Sequence, residues 1–372
     1  MSTADFDRLH TVNVDTITPR RKQLGQLALL SSLLILAGLF AVQALHDSGY
    51  WEFGFSNWRP VLYGYFLWAA TLCVTRVVIH GEQGKKSLFV LPAALFVVSM
   101  VVFPLMFALW IAFSDWNLAS LTGRKFNGLD NVRQMIADPF YWNAMYNMVT
   151  YTLAIAVEYA IAFGLALLLN QNIVARKFWR VTFLIPLMLS PVALSWMVGK
   201  SMLETRFGPV ARFAKWLGWE NPSFFGSPEI AKFTIMVMDA WTFIPFMMIM
   251  ILAGLQAMPK EVLEAAEVDG ATAWQRFWTI TFPLMLPVSI TAVMIRVIFK
   301  LKLADIIITV TAGGPGGATD SVTSFIFREY RDRSNVGYGT LLAIVYLVII
   351  VVFMTVLLKF SDRMVRRMTG SL

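Results

Sequence analysis

Met258-Pro259-Lys260-Glu261-Val262-Leu263-Glu264-Ala265-Ala266-Glu267-Val268-Asp269-Gly270 is a polar, patterned stretch set between two long apolar runs. Pro259 suits the first turn of a helix, where its missing N–H leaves nothing unbonded. Gly270 suits the stop, where a residue must often turn left-handed. A second short helix is expected from about Thr272 into the next apolar run, through Ile280-Thr281-Phe282-Pro283. The stretch thus reads as a helix–turn–helix lying on one face of a membrane. Glu261, Glu264, Glu267 and Asp269 outnumber Lys260 and Arg276, and the small Ala265 and Ala266 flank one of the acids. An acidic, small-sided helix fits a docking surface for another protein. A solvated connector is the alternative that composition alone allows.

A helix needs about 20 apolar residues to cross the hydrocarbon core. Working outward, eight runs qualify: Leu24–Leu45, Val61–Ile79, Leu88–Phe113, Met148–Leu169, Val181–Met197, Phe233–Leu255, Pro283–Phe299 and Tyr338–Leu358. The fifth carries Pro186 and Pro191, which membrane helices tolerate when neighbours satisfy the freed carbonyls; a re-entrant hairpin is its other reading. A mostly polar stretch precedes the first run, which is longer than the apolar core of a signal peptide, so a retained anchor is expected rather than a cleaved signal. Arg20 and Arg21 admit a twin-arginine export signal, which seven further spans disfavour.

Composition agrees. Hydrophobic residues make up 58% of the 372-residue chain, charged residues 15%, and the mean hydropathy is +0.64. A soluble globular protein is nearer to half apolar and a quarter charged, so a soluble enzyme, a disordered chain and a nucleic-acid binder are disfavoured. The net charge of +8 reads as loop bias in a membrane protein. Lys85 and Lys86, then Arg176, Lys177 and Arg180, then Lys359, Arg363, Arg366 and Arg367 fall on one side if there are eight spans and both termini are cytoplasmic. The outer loops, near His46–Pro60, Ser114–Asn147, Val198–Lys232 and Lys300–Gly337, are rich in aromatic residues, as interface-lying segments are.

Chemistry-bearing patterns are sparse. Cys73 is the single cysteine, and His10, His46 and His80 are the only histidines. No metal site or cofactor is expected in the chain. Gly81-Glu82-Gln83-Gly84-Lys85-Lys86-Ser87 imitates a phosphate loop, but Ile79 stands where the first Gly is needed and Lys86 where Ser or Thr should follow the Lys. Gly313-Gly314-Pro315-Gly316-Gly317 has no lysine and reads as a tight outer turn.

Glu264-Ala265-Ala266, then Gly270, Ile280 and Pro283 at matching spacing, resembles the coupling-loop signature of binding-protein-dependent ABC permeases. The chain departs from it at Phe282, where the family usually has Leu. Asp239-Ala240-Trp241 with Pro245-Phe246, Ala253-Gly254-Leu255-Gln256, Thr311-Ala312-Gly313-Gly314-Pro315, Asn127-Gly128-Leu129-Asp130-Asn131 and Asp138-Pro139 resemble segments of its carbohydrate-uptake branch, the maltose and glycerol-phosphate permease type. The likeness runs from about Leu88 to the C-terminus. It implies an all-α polytopic protein with a six-helix type I importer core over residues 81–372, a coupling loop at 256–283 and an extra N-terminal tail and hairpin over residues 1–80.

The resemblance further implies a non-catalytic permease of the bacterial inner membrane, surrounded by lipid. An extracytoplasmic binding protein would deliver a carbohydrate-type solute, a second homologous permease would complete the pathway, and two ATPase subunits would hold the ATP and Mg. Glu264, Ala265, Ala266, Asp269, Gly270 and Pro283 would form the ATPase-coupling element, and Gly313, Gly314 and Pro315 an outer loop. An ion-coupled secondary transporter is the alternative, although no duplicated motif supports two related halves.

Substrate-path candidates are Asp239, Trp241, Arg296, Phe299, Lys300, Lys302 and Asp305. Arg296 and Lys300 are four apart and share a helix face, while Lys302 and Asp305 are three apart and can pair. A structural reading pairs these charges with one another or with Asp239. If instead Lys300 is a surplus cation beside Arg296, a buried positive pair needs a counter-charge, and an anionic glycoside would supply it. Phe299 could stack on a sugar face.

Overall fold

The computed structural model describes residues 19–47, 51–80, 82–121 and 123–369. The tail ahead of Pro19, with His10, and Gly81 lie outside the described residues. Packing divides the chain into two compact units, residues 1–107 and 108–372, a division farther along the chain than the boundary near residue 80 that the resemblance implies.

The first unit opens with α1 (Pro19–Asp47) and α2 (Arg59–His80), which pack as a hairpin, followed by α3 (Glu82–Val97). Gln43 closes the hairpin at its far end. Its side-chain amide donates to Phe55 O and its carbonyl accepts from Phe55 N, both at 3.2 Å, so a buried amide answers both backbone groups of one residue. Tyr65 Oη donates to Leu95 O at 2.6 Å and ties α2 to α3. A π-helical turn at Val98–Val102 leads into α4 (Phe103–Ala112). The large apolar side chains of these helices are mostly exposed, as lipid-facing helices require.

In the second unit a two-stranded ribbon, β1 (Ser114–Asp115) with β2 (Lys125–Phe126), precedes α5 (Asp130–Ala137). Here the Asn127–Asn131 segment has a structural task. Asn131 Nδ2 donates to Ala112 O at 2.8 Å and Ser114 O at 3.1 Å, and Asn127 Nδ2 donates to Asn131 Oδ1 at 3.0 Å. Asp138 then caps α6 (Pro139–Asn170), accepting from Phe140 N at 2.9 Å. A side-chain oxygen there satisfies an orphan N–H of the first turn.

The fifth apolar run is not one straight span. α7 (Arg176–Met188) and a second helical piece, Pro191–Met202, which begins as α8 (Pro191–Leu194) and ends as a π-helix, are bent by 97°. The cause is local: Leu189 and Ser190 are extended, Pro191 has no N–H to continue α7, and Ser190 Oγ caps the next piece by accepting from Ala193 N at 3.2 Å. Among the described residues seven helices are long and apolar enough to cross a membrane, and the bent pair makes up to eight.

α9 (Pro209–Trp216) lies in the following loop, and α10 (Pro228–Ala257) is the next long helix. It leads through α11 (Lys260–Val268), α12 (Ala273–Arg276) and a π-helical turn at Phe277–Thr281 into α13 (Phe282–Leu301). The expected seventh span, Pro283–Phe299, lies inside this run. Short α14 (Asp305–Val310) and α15 (Val322–Arg331) precede the last span, α16 (Val336–Thr369).

α6, α10 and α13 pack on one another and carry the interior. Their buried residues recur every three or four positions, for example Tyr151, Ile155, Glu158 and Ala162 on α6 and Met285, Ser289, Ala292, Arg296 and Lys300 on α13. That spacing is one helical face. Two apolar clusters result. One holds Tyr151, Ile155, Met238 and Val297; the other holds Ala162, Phe163, Met247 and Ala292. Glu158, Asp239 and Arg296 fall between the two clusters in sequence on their helices, and Lys300 lies one turn beyond Arg296 on α13, between Val297 and Leu301 of the first.

Candidate functional site

The polar loop folds as a rigid helix–turn–helix. At the end of α11, Gly270 N donates to Glu267 O at 3.0 Å and Ala271 N to Ala266 O at 2.9 Å. This pair of bonds needs a left-handed residue between them, and Gly270 supplies it with φ +76°. α12 starts with a capping box: Thr272 Oγ1 accepts from Gln275 N at 3.3 Å, and Gln275 Oε1 accepts from Thr272 N at 2.8 Å. Arg276 pairs with Glu267 across the turn. With both ends satisfied, the unit can transmit a displacement that a loose loop would absorb.

Glu261, Glu264, Ala265, Asp269 and Gly270 are exposed, and Ala266 packs inward. Half-buried Pro283 opens α13. Phe282 joins an aromatic cluster, 5.3 Å from Trp278, 6.0 Å from Phe277 and 6.2 Å from Phe163 by ring centroids. The ring thus fills space between the loop and α6 that the usual Leu would leave to other side chains.

Four charged side chains meet at membrane depth. Arg296 Nε donates to Glu158 Oε2 at 2.7 Å and its Nη2 to Glu158 Oε1 at 3.2 Å. Lys300 Nζ donates to Glu158 Oε1 at 2.8 Å. Arg296 and Lys300 both also bond Asp239 Oδ2. All four side chains are at most 3% exposed. The Arg296 guanidinium lies 4.3 Å from the centre of the Phe243 ring, a favourable seat for a desolvated cation. Each of α6, α10 and α13 contributes, so the quartet joins the three central helices.

This arrangement follows the structural reading, in which these charges pair with Asp239, and not the alternative of a surplus cation. Two cations face two carboxylates, and the counter-charge lies within the chain. Arg296 and Lys300 therefore give no argument for an anionic substrate. Glu158 went unnoticed in the sequence, although a lone acid inside the run Met148–Leu169 is costly enough at membrane depth to signal a partner.

The remaining path candidates separate. Lys302 caps the end of α13, Asp305 begins α14, and both are exposed; no ion pair joins them among the described residues, because the chain turns between them. Phe299 stacks on Phe243 with centroids 5.4 Å apart and planes at 28°, so one ring face is already covered. Trp241 is 42% exposed and lines two apolar grooves along α10, one of about 810 Å³ with Phe224, Phe233 and Val237, the other of about 450 Å³ with Ile161 and Pro186 at the bent pair.

The Gly-Gly-Pro loop is held from α6. Asn143 Nδ2 donates to Gly317 O, Asn147 Nδ2 to Ala318 O and Tyr151 Oη to Thr319 O, each at 2.8 Å. These three residues are four apart, one polar stripe. Thr319 Oγ1 donates to Gly314 O at 2.8 Å, and Gly313 takes φ +83° beside Asp320. Burial pushes the Asp320 carboxyl up, against the pull of its partner Arg328. Gly313, Gly314 and Pro315 thus belong to a loop fixed by buried hydrogen bonds.

The comparisons with known proteins agree with this geometry. The family model described as "Binding-protein-dependent transport system inner membrane component" matches residues 159–367. The trehalose/maltose transport system permease protein MalF of Thermococcus litoralis is 32% identical over 287 residues, 77% of this chain and 96% of that relative. The sulfoquinovosyl glycerol transport system permease protein SmoG of Agrobacterium fabrum is 34% identical over 273 residues, 73% and 88% of the two chains. A solved bacterial ABC transporter involved in import of the acidic polysaccharide alginate shares the fold, with a TM-score of 0.64 at 22% identity, covering 77% of this chain and 98% of that one.

Proposed function

The chain belongs to the family of binding-protein-dependent transport system inner membrane components, and we propose from that premise that it is the permease of an ATP-driven importer for a carbohydrate-type solute. Its relatives named for trehalose and maltose, sulfoquinovosyl glycerol and starch degradation products support the carbohydrate class. An extracytoplasmic binding protein delivers the solute, a second homologous permease completes the pathway, and two ATPase subunits dock below and hold the ATP and Mg. Both termini are cytoplasmic.

The observation that carries the reading is the sealed helix–turn–helix at 258–276 with its exposed acids. In this proposal Glu264 sits in the ATPase cleft, and closure of the ATPases pushes α11, whose movement α12 and α13 pass to the quartet that ties α13 to α6 and α10. The chain's own part is mechanical and electrostatic: it binds no nucleotide. The test is uptake by membranes carrying the assembled complex with Glu264→Lys. The expected result is loss of solute-stimulated ATP hydrolysis and of uptake at unchanged membrane insertion. Uptake at the wild-type rate would remove the coupling role.

A further inference from the structure

Three helix ends of the first compact unit meet on one side of the membrane. α1 begins with Arg20, Arg21 and Lys22, α2 ends with Arg76 and His80, and α3 carries Lys85 and Lys86 in its first turns. Two close approaches bring them together. A Cβ on Gly25 would lie 2.8 Å from Ile79 Cγ1, and one on Gly84 would lie 2.9 Å from Val77 Cα. The start of α1 and the start of α3 are therefore both against the last turns of α2. All seven basic side chains are exposed. Among the described residues acids are scarce here: the first turn of α1 has none, and Glu82 is the only one between Arg76 and Ser87 in the sequence.

Beneath this end lies an apolar wall. Leu24, Leu27, Leu30 and Leu34 share one face of α1 and are each more than half exposed, and Phe89 and Val90 of α3 are exposed beside the basic end. A general inside-positive bias explains which side these cations occupy. It does not explain why the start of α1 meets the junction of α2 and α3 above an uncovered apolar face. Clustered Lys and Arg beside membrane helices attract anionic headgroups, and basic clefts between helices hold their phosphates.

We propose that this end of the hairpin binds an anionic phospholipid. Its phosphate is gripped by Arg20, Arg21, Lys22, Arg76 and Lys86, and its acyl chains lie along the leucine face of α1. The first unit lies outside the region matched by the transporter family, residues 159–367, so this is a site added to the transport core. It does not depend on which solute is carried.

The test uses the full chain in detergent and reads retained lipid by native mass spectrometry, with phosphatidylglycerol, phosphatidylcholine and soluble glycerol phosphate as probes. The wild type should retain phosphatidylglycerol in preference to phosphatidylcholine. The triple variant R20Q/R21Q/K22Q should weaken that retention on the order of a hundredfold, at about fivefold per cation near a charged surface, with phosphatidylcholine unchanged. R76Q/K86Q should also weaken it, whereas R20K/R21K, which keeps the charge, and K359Q/R363Q, which removes cations elsewhere, should stay within about twofold of wild type. Equal retention by the triple variant overturns the proposal, as does an equal loss in K359Q/R363Q. Competition by glycerol phosphate as effective as by phosphatidylglycerol would mean a free-anion site and would also overturn it.

Discussion

Glu158, Asp239, Arg296 and Lys300 hold two charges of each sign out of water, with each cation bonded to both carboxylates. A buried ion pair adds little beyond what an apolar pair would, but removing one partner strands the other and costs about 3–5 kcal/mol. Lys300→Met should therefore lower the thermal midpoint of the purified chain sharply, and Asp239→Asn should do the same. The double variant Asp239→Asn/Lys300→Met leaves Glu158 with Arg296 and restores neutrality, so it should melt above either single variant. A double variant no better than the worse single would mean that the four groups are not energetically coupled.

Among the elements, the proposed coupling helix α11 and the polar stripe of α6 invite separate tests. Gly270→Pro locks φ near −65° and deletes the N–H that bonds Glu267 O. It should abolish uptake while the chain still inserts, and Gly270→Ala, which strains the left-handed backbone by about 1 kcal/mol, should give an intermediate rate. Transport by Gly270→Pro at the wild-type rate would show that the turn geometry is dispensable. On α6, Asn147 Nδ2 serves Ala318 O and Asp320 O together. Asn147→Leu should strand both carbonyls at a cost of about 1–3 kcal/mol each. Hydrogen exchange across residues 311–320 should then rise well above that of the rest of the second unit; unchanged protection would mean that Asn143, Tyr151 and the loop's own bonds hold it without Asn147.

At the scale of the whole molecule the open quantity is orientation. In a Cys73→Ala background, single cysteines at Gly218 and Gly316 should react with an impermeant thiol reagent added outside intact cells, and one at Gly270 should react only after the cells are opened. Labelling in the reverse pattern would invert the topology. In the proposed importer α11 is the chain's one coupling helix, whereas a machine with two ATPases needs two. An active complex should therefore contain a second, homologous membrane subunit, and purification of an active complex with this chain as its only membrane component would refute that.

Much of this architecture was legible because the relevant signals are local. Apolar run length decides which helices can span, since a bilayer admits little else. Pro259, Gly270 and Thr272 mark helix ends through bonds made within a few residues, so α11 and α12 could be drawn before any packing was known. The meeting of Glu158 with Arg296, 138 residues away, was decided only in three dimensions. Helical periodicity says that a side chain faces inward but not which inward face it meets. For the same reason the sequence left Lys300 open to being a surplus cation, and Lys302 and Asp305 open to a pairing that the turn after Leu301 prevents. The 97° bend at Ser190 lay between the two cases. Pro191 announced a break, since the residue before a proline is pushed to extended backbone and Ser190 can cap a new helix, but the angle between the two pieces was set in three dimensions, where α7 packs on α10 and the second piece on α14.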